Sequence, residues 1–280
     1  MKNILVPTDF SDEAKTALDF AVQLADKSNG SVYILHVLEL PSSSLSIVGD
    51  LYAGSAALDQ VYNSKLVEVL KENMDDQVRF AKNHGITVQN SIEYGNVYRK
   101  IEDVSKEINA DLIVMGTKGV SGWQEVLVGS NAEKIIRRSK IPVLTIKHPL
   151  KLDQLKNMVF AIGETTDRSV AFVKEFQKLV NATCHLLKVF RPVKMDSKIE
   201  SAKTEVSEFA ESTGFTDYTT NVVEAPWVEE GILEFVEGKS YDLIAMGTHG
   251  YKGLNHFLLG SHAEDVSNHA ELPVLSINVS

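Results

Sequence analysis

Two stretches of this sequence have the residue types and spacing to hold an anion. Gly116-x-x-Gly119, nine residues and then Gly129-Ser130 recur as Gly247-x-x-Gly250, nine residues and Gly260-Ser261. Glycine adopts positive φ and lets a ligand approach the main chain closely. Ser130 and Ser261 stand where a helix should begin, with expected ends near Arg138 and His269. The exposed N–H groups and positive dipole end of such a start favour a phosphate. Glycines after strands also make plain turns, and serine at a helix start is also a plain cap. Duplication copies inert loops as faithfully as working ones, so the spacing alone leaves both readings standing.

The loops belong to a repeat that runs through the chain. Asp111-Leu-Ile-Val-Met-Gly-Thr-Lys-Gly119 returns as Asp242-Leu-Ile-Ala-Met-Gly-Thr-His-Gly250, and Ile141-Pro-Val-Leu-Thr-Ile146 returns as Leu272-Pro-Val-Leu-Ser-Ile277, both at an offset of 131. The openings of the copies, Lys2-Asn-Ile-Leu-Val6 and Lys156-Asn-Met-Val-Phe160, match at an offset of 154. The second copy is therefore shorter inside by about 23 residues, which we place in a Ser/Gly-bearing loop from Pro41 to about Ser64. Two domains are expected, 1–148 and 155–280, with a short linker near His148 to Leu155.

Within the first copy, Asn3–Val6, Val32–Val37, Val88–Ile92, Leu112–Met115 and Val143–Ile146 are short aliphatic runs. Strands buried on both faces of a parallel sheet have this composition. Ala14, Ala17, Leu18, Ala21, Val22 and Ala25 follow helical spacing, with Ser11 as N-cap and Asp12 and Glu13 in the first turn. Lys65–Asn83 and Val97–Asn109 read as further helices. The fold class is α/β: two tandem doubly wound, Rossmann-like parallel sheets of five strands each. Ligands of such sheets bind outside the carboxyl ends of the strands, here at Pro7-Thr8-Asp9, Val37 and the loop after Met115.

Bulk composition narrows the partners. The formal net charge is −10, with 16 Lys and Arg against 19 Asp and Glu to residue 150, and 12 against 19 beyond it. Neither half suits a polyanion, which needs clustered cations, so no nucleic acid and no membrane surface is expected as partner. No apolar run approaches the roughly 20 residues of a bilayer span, and the N-terminus lacks the apolar core of a signal peptide. A cytoplasmic protein is expected. Cys184 is the only cysteine and reads as a buried strand thiol.

Taken together, these motifs resemble the ATP-binding branch of the universal stress protein family, in a tandem form. The resemblance rests on Met-Gly-x-x-Gly, nine residues, Gly-Ser, the following Ala-Glu pair and the closing Pro-Val-Leu strand. Leu5-Val-Pro-Thr-Asp-Phe-Ser11 and Leu35-His-Val37 share it, so it covers essentially the whole chain. It implies adenine and ribose against Pro7, Thr8, Asp9, Val37, Met115 and Gly116. It implies a phosphate chain along Lys118, Gly119, Gly129, Ser130, Asn131 and Ala132, with a divalent ion such as Mg2+ or Mn2+. The function implied is that of an ATP-binding regulatory protein of the stress response. A slow ATPase or phosphotransfer enzyme and a nucleotide-free scaffold are the alternatives.

The second copy departs from the pattern. Gly163 falls where the first has Asp9, His249 replaces Lys118 and His262 replaces Asn131. Gly247, Gly250, Gly260, Ser261 and His262 are thus candidates for a degenerate second site. No Gly-x-x-x-x-Gly-Lys-Ser/Thr and no Gly-x-Gly-x-x-Gly occurs. His249, His256, His262 and His269 fit no zinc spacing, and no catalytic triad can be drawn. Trp123 and Trp227 read as packing residues, and the Glu-rich stretch Glu224–Glu237 as the solvated face of a helix. The last strands, Pro142–Ile146 and Pro273–Ile277, are apolar edges expected to pair with each other, making an intramolecular pseudo-dimer; a homodimer of chains is a further expectation.

Overall fold

In a computed structural model the residues described are 1–39, 56–117, 130–163, 165–190, 199–248 and 262–279. The first half runs β1 (Asn3–Pro7), α1 (Asp12–Ser28), β2 (Ser31–Leu38), α2 (Ala56–Asn83), β3 (Thr87–Tyr94), α3 (Val97–Glu107), β4 (Leu112–Gly116), α4 (Ser130–Arg138) and β5 (Val143–Ile146). A 3-10 turn at Leu152–Gln154 leads to β6 (Asn157–Ala161), α5 (Asp167–Val180), β7 (Thr183–Phe190), α6 (Ile199–Thr213), β8 (Tyr218–Glu224), α7 (Val228–Val236), β9 (Leu243–Thr248), α8 (His262–His269) and β10 (Val274–Asn278).

The strands form one sheet of ten in the order β3-β2-β1-β4-β5-β10-β9-β6-β7-β8. Pairing is parallel within each half, in the β2-β1-β4 order that the crossovers impose. The halves join where β10 pairs antiparallel with β5, in the register Val274↔Thr145, Leu275↔Leu144 and Ser276↔Val143.

Local chemistry sets the ends of these elements. Ser11 Oγ accepts from the Ala14 N–H at 3.2 Å to open α1, and Asn29 closes it in the left-handed region at φ 49°. In the second copy Thr166 and Asn181 do the same for α5. One carboxylate oxygen of Asp111 accepts from the N–H groups of Lys2 and Asn3, and Asp242 repeats this with Lys156 and Asn157. The duplication is thus preserved down to single hydrogen bonds.

One helix differs from the sequence expectation. The second helix begins at Ala56 rather than Lys65, so residues assigned to a loop are helical. Ala56, Ala57 and Leu58 are strong helix formers, and neither glycine nor proline interrupts the chain after Gly54.

Helices cover both faces of the sheet. α1, α2, α5 and α6 bury one core, around Phe20, Met74, Phe160 and Phe176. α3, α4, α7 and α8 bury the other, around Ile101, Ile135, Ile232 and Val266. Cys184 lies in the first core at 0% exposure, and burial pushes its thiol up to about 12. Among the described residues no helix is long and apolar enough to cross a membrane.

Candidate functional site

β1, β2 and β4 end side by side, and a cavity of about 580 Å3 opens over their carboxyl ends. Pro7, Thr8, Asp9, Val37, Met115, Gly116, Asn131 and Ala132 line it, bringing together strand ends and the first turn of α4. These are the residues expected to meet adenine, ribose and the start of the phosphate chain. Ser130 opens α4, whose N–H groups begin at this cavity. Lys118, Gly119 and Gly129 lie outside the described residues, as do Gly250, Gly260, Ser261, His249, His256 and Trp123.

The floor is apolar, made by Val37, Ile101, Met115 and Ala132. Asp9, Glu13 and Glu39 are the acidic residues of the lining. Asp9 Oδ1 accepts from the Ser11 N–H at 3.0 Å, bending the turn so that Phe10 takes φ 66°. Glu39 Oε1 accepts from the Val97 N–H at 3.3 Å, and Asn96 Oδ1 from Arg99 at 3.1 Å, together satisfying the start of α3.

Beneath the turn lies a buried polar cluster. The Thr8 N–H donates to the Leu35 carbonyl at 2.8 Å, and Thr8 Oγ1 accepts from Phe10 N–H at 3.0 Å and Gln77 Nε2 at 3.1 Å. His36 Nδ1 lies 2.8 Å from the Thr8 carbonyl. A carbonyl only accepts, so Nδ1 carries the proton of this bond, and Nε2 faces the other way. That Nε2, Gln77 Oε1 and Thr117 Oγ1 are buried and without protein partners among the described residues. The His36 ring stacks on Phe10 with centroids 4.5 Å apart. The sequence marks His36 only as part of the Leu35-His-Val37 motif and Glu13 only as a first-turn acid, and it gives no reason to single out Gln77.

Gly116 has a packing role that its place in the motif did not reveal. A Cβ there would stand 2.2 Å from the Glu13 carbonyl oxygen and 2.6 Å from the Ala14 nitrogen. The first turn of α1 therefore lies directly on β4, and only glycine permits the contact.

In the second half, the Ile162 N–H donates to the Leu187 carbonyl at 2.9 Å, as Thr8 does to Leu35. This bond and the register Ala161↔Leu187 against Pro7↔Leu35 put Ile162 at the place of Thr8 and Gly163 at that of Asp9. The hydroxyl that organises the first turn has no counterpart. Gly247, one residue before the end of β9, pairs with Ile277 as Gly116 pairs with Ile146, and His262 opens α8. Val189, which matches the cavity-lining Val37, lies against α7: a Cβ at Gly231 would stand 2.7 Å from its Cγ1. The first half has Lys100 at the position of Gly231.

Trp227 is not the packing residue expected. It is 42% exposed, at the N-cap position of α7. The Glu-rich stretch divides as helical periodicity requires, with Glu229 and Glu230 outward and Ile232 and Phe235 buried.

The cavity has the size and lining of a small-molecule site. Its volume is within the range of about 300–1,000 Å3 usual for small-molecule sites, mostly apolar with a few convergent polar groups. Among the described residues no group of three or more His, Cys, Asp and Glu is arranged to hold a metal ion.

A doubly wound sheet with a cavity over its strand ends and a helix N-terminus beside it defines an α/β protein of Rossmann-like fold. Comparison makes the family explicit. The sequence matches the universal stress protein family over residues 1–147 and again over 154–278, and the chain belongs to that family. It is 25% identical over 292 residues to universal stress protein Slr1230 of Synechocystis sp., covering 99% of each chain. Universal stress protein YxiE of Bacillus subtilis is 33% identical over 147 residues, which is 51% of this chain and 97% of that one. The crystal structure of a universal stress protein from Archaeoglobus fulgidus shares the fold, with a TM-score of 0.73 at 22% identity over 99% of this chain and 98% of that chain.

Proposed function

We propose that the first half binds one adenine nucleotide per chain, ATP or a close relative, and that the protein works as a regulatory module of the stress response. The observation that carries this reading is the convergence of Pro7-Thr8-Asp9, Val37, Met115-Gly116 and Asn131-Ala132 on one cavity. The base would lie on the apolar floor. The main-chain groups of the Thr8–Asp9 turn would meet its polar edge, and the phosphates would run toward the start of α4 and the glycine loop. Mg2+ or Mn2+, when bound, would neutralise the phosphate chain beside the acidic residues of the lining.

The same reading makes the second half a degenerate site. Ile162 and Gly163 replace Thr8 and Asp9, and α7 lies against Val189. Residues 1–148 and 155–280 would be separate folding units, held as an intramolecular pseudo-dimer by the pairing of β5 with β10. Output is then a change of conformation or assembly on nucleotide binding.

Denaturing the protein purified from cells and identifying the released small molecules tests the reading directly. An adenine nucleotide is expected, and calorimetry with ATP should return one site per chain. Two equivalent sites would refute the asymmetry, and absence of binding would refute the function. A timed phosphate-release assay with Mg2+ separates a binding module from a slow ATPase.

A further inference from the structure

The helix layer of α3, α4, α8 and α7 carries two crevices away from the nucleotide cavity. One lies between α3 and the turn after α4, floored by Ile113, Ile135 and Ile141, with a volume of about 190 Å3. The other lies between α7 and the turn after α8, floored by Leu233, Val236 and Leu272, with a volume of about 920 Å3. The offset of 131 carries Ser105, Lys106, Lys140 and Ile141 of the first onto Val236, Glu237, Glu271 and Leu272 of the second. These are one crevice, duplicated.

Its charge is inverted between the copies. Lys106 of the first rim corresponds to Glu237 of the second, and Lys140 to Glu271. All four side chains are exposed. Arg138, over the ring of Tyr98 at 5.7 Å, adds positive charge beside the first crevice. Glu230 and Glu234 add negative charge to the second. Two of the four already have a partner: Lys106 meets Glu102 at 2.7 Å, and Glu271 meets the His148 imidazole at 2.8 Å. Exposed pairs of this kind are weak and do not hold their members against a better partner.

Both crevices belong to helices packed on the same face of the sheet. A two-fold axis parallel to that layer and perpendicular to the line joining the two crevices stacks two chains layer on layer. It sets the first-half crevice of each over the second-half crevice of the other. The contact occurs twice and closes on itself. In a dimer of single-domain proteins the same stacking would oppose like charges at equivalent positions. Duplication frees the two copies to differ, and here they differ in sign.

We propose that these crevices are the interface through which a second copy of this chain docks, Lys106 and Lys140 of one chain against Glu237 and Glu271 of the other. The inference does not depend on nucleotide binding. Opposite charges across the rims steer the encounter and fix the pairing, while the apolar floors supply the buried area.

Sedimentation velocity of the full chain tests it. A dimer is expected, weakening on the order of tenfold as salt is raised well above the physiological range. Lys106→Glu with Lys140→Glu should sediment as a monomer, and so should Glu237→Lys with Glu271→Lys. An equimolar mixture of the two double variants should recover the dimer, because each then presents the charge the other lacks. Circular dichroism melts should match the unaltered chain, since all four positions are exposed. A monomeric unaltered chain, double variants that associate as tightly as the original, or a mixture that stays monomeric would each overturn the proposal.

Discussion

His36 donates through Nδ1 to the carbonyl of Thr8 at 2.8 Å, so the end of β2 holds the turn that follows β1. The Thr8 hydroxyl takes a further bond from Gln77 of α2, and Phe10 lies on the imidazole ring. The wall of the cavity is thus positioned by groups on its far side. Replacing His36 by Phe keeps a ring beside Phe10 and removes the donor. The loss should be about 1–3 kcal/mol, the usual cost of leaving a buried carbonyl unpaired. Urea denaturation measures it, and nucleotide affinity should fall beyond what unfolding explains.

Gly116 and Gly163 should respond oppositely to the same change. Gly116→Ala drives a methyl into the Glu13 carbonyl, so α1 must shift, at a cost of about 3 kcal/mol. Gly163→Ala meets nothing within 4 Å and should stay within about 0.5 kcal/mol of the original. Paired thermal melts decide between this account and one in which Gly116 serves only a ligand.

Cys184 makes stability fall in alkali. Its thiol titrates at about 12 when folded, against an ordinary 9.0 when unfolded. Above the unfolded value the unfolded chain has lost a proton that the folded chain keeps. Stability is therefore full below pH 9.0 and declines as pH climbs toward 12, by up to about 1.4 kcal/mol per pH unit. Subtracting the curve of Cys184→Ala from that of the original should isolate this slope. Parallel curves would show that the thiol does not carry it.

The glycine loop offers a comparison internal to the chain. Gly129→Val should reduce nucleotide affinity at least about tenfold by filling the close-approach space. Gly260→Val should alter it little, because the second site already lacks the partners of Thr8 and Asp9. Calorimetry beside thermal stability measures both. Unchanged affinity in the Gly129 variant would sink the phosphate cradle, and equal losses in both would sink the asymmetry.

Much of this arrangement is legible in the sequence because it is periodic or repeated. The offsets of 131 and 154 anticipate the two copies, and the hydrogen bonds of Thr8 and Ile162 place Gly163 opposite Asp9 as the alignment does. Ser11 is readable as a cap because capping is local chemistry. His36 and Gln77 are not readable. One sits in an apolar strand and the other on an ordinary helix, and their meeting with Thr8 spans 28 and 69 residues of chain. The tight seat of α1 on Gly116 is likewise a tertiary event hidden inside a motif. The inverted crevices are written in the alignment, yet nothing local marks Lys106 or Glu237 as neighbours of a crevice.

The seam between the halves also has a mechanical meaning. β5 and β10 share three register pairs, while β2 and β3 share eight. Lys147 adds a clasp, its ammonium donating to the carbonyls of Asn268 at 2.8 Å and Ala270 at 2.6 Å. β1 and β4 share only two register pairs, but they lie within one half, where α1 packs on both and Asp111 ties them through the N–H groups of Lys2 and Asn3. Among the described strand pairs β5–β10 alone joins the halves, so any force that separates them must break these three pairs and the Lys147 clasp together.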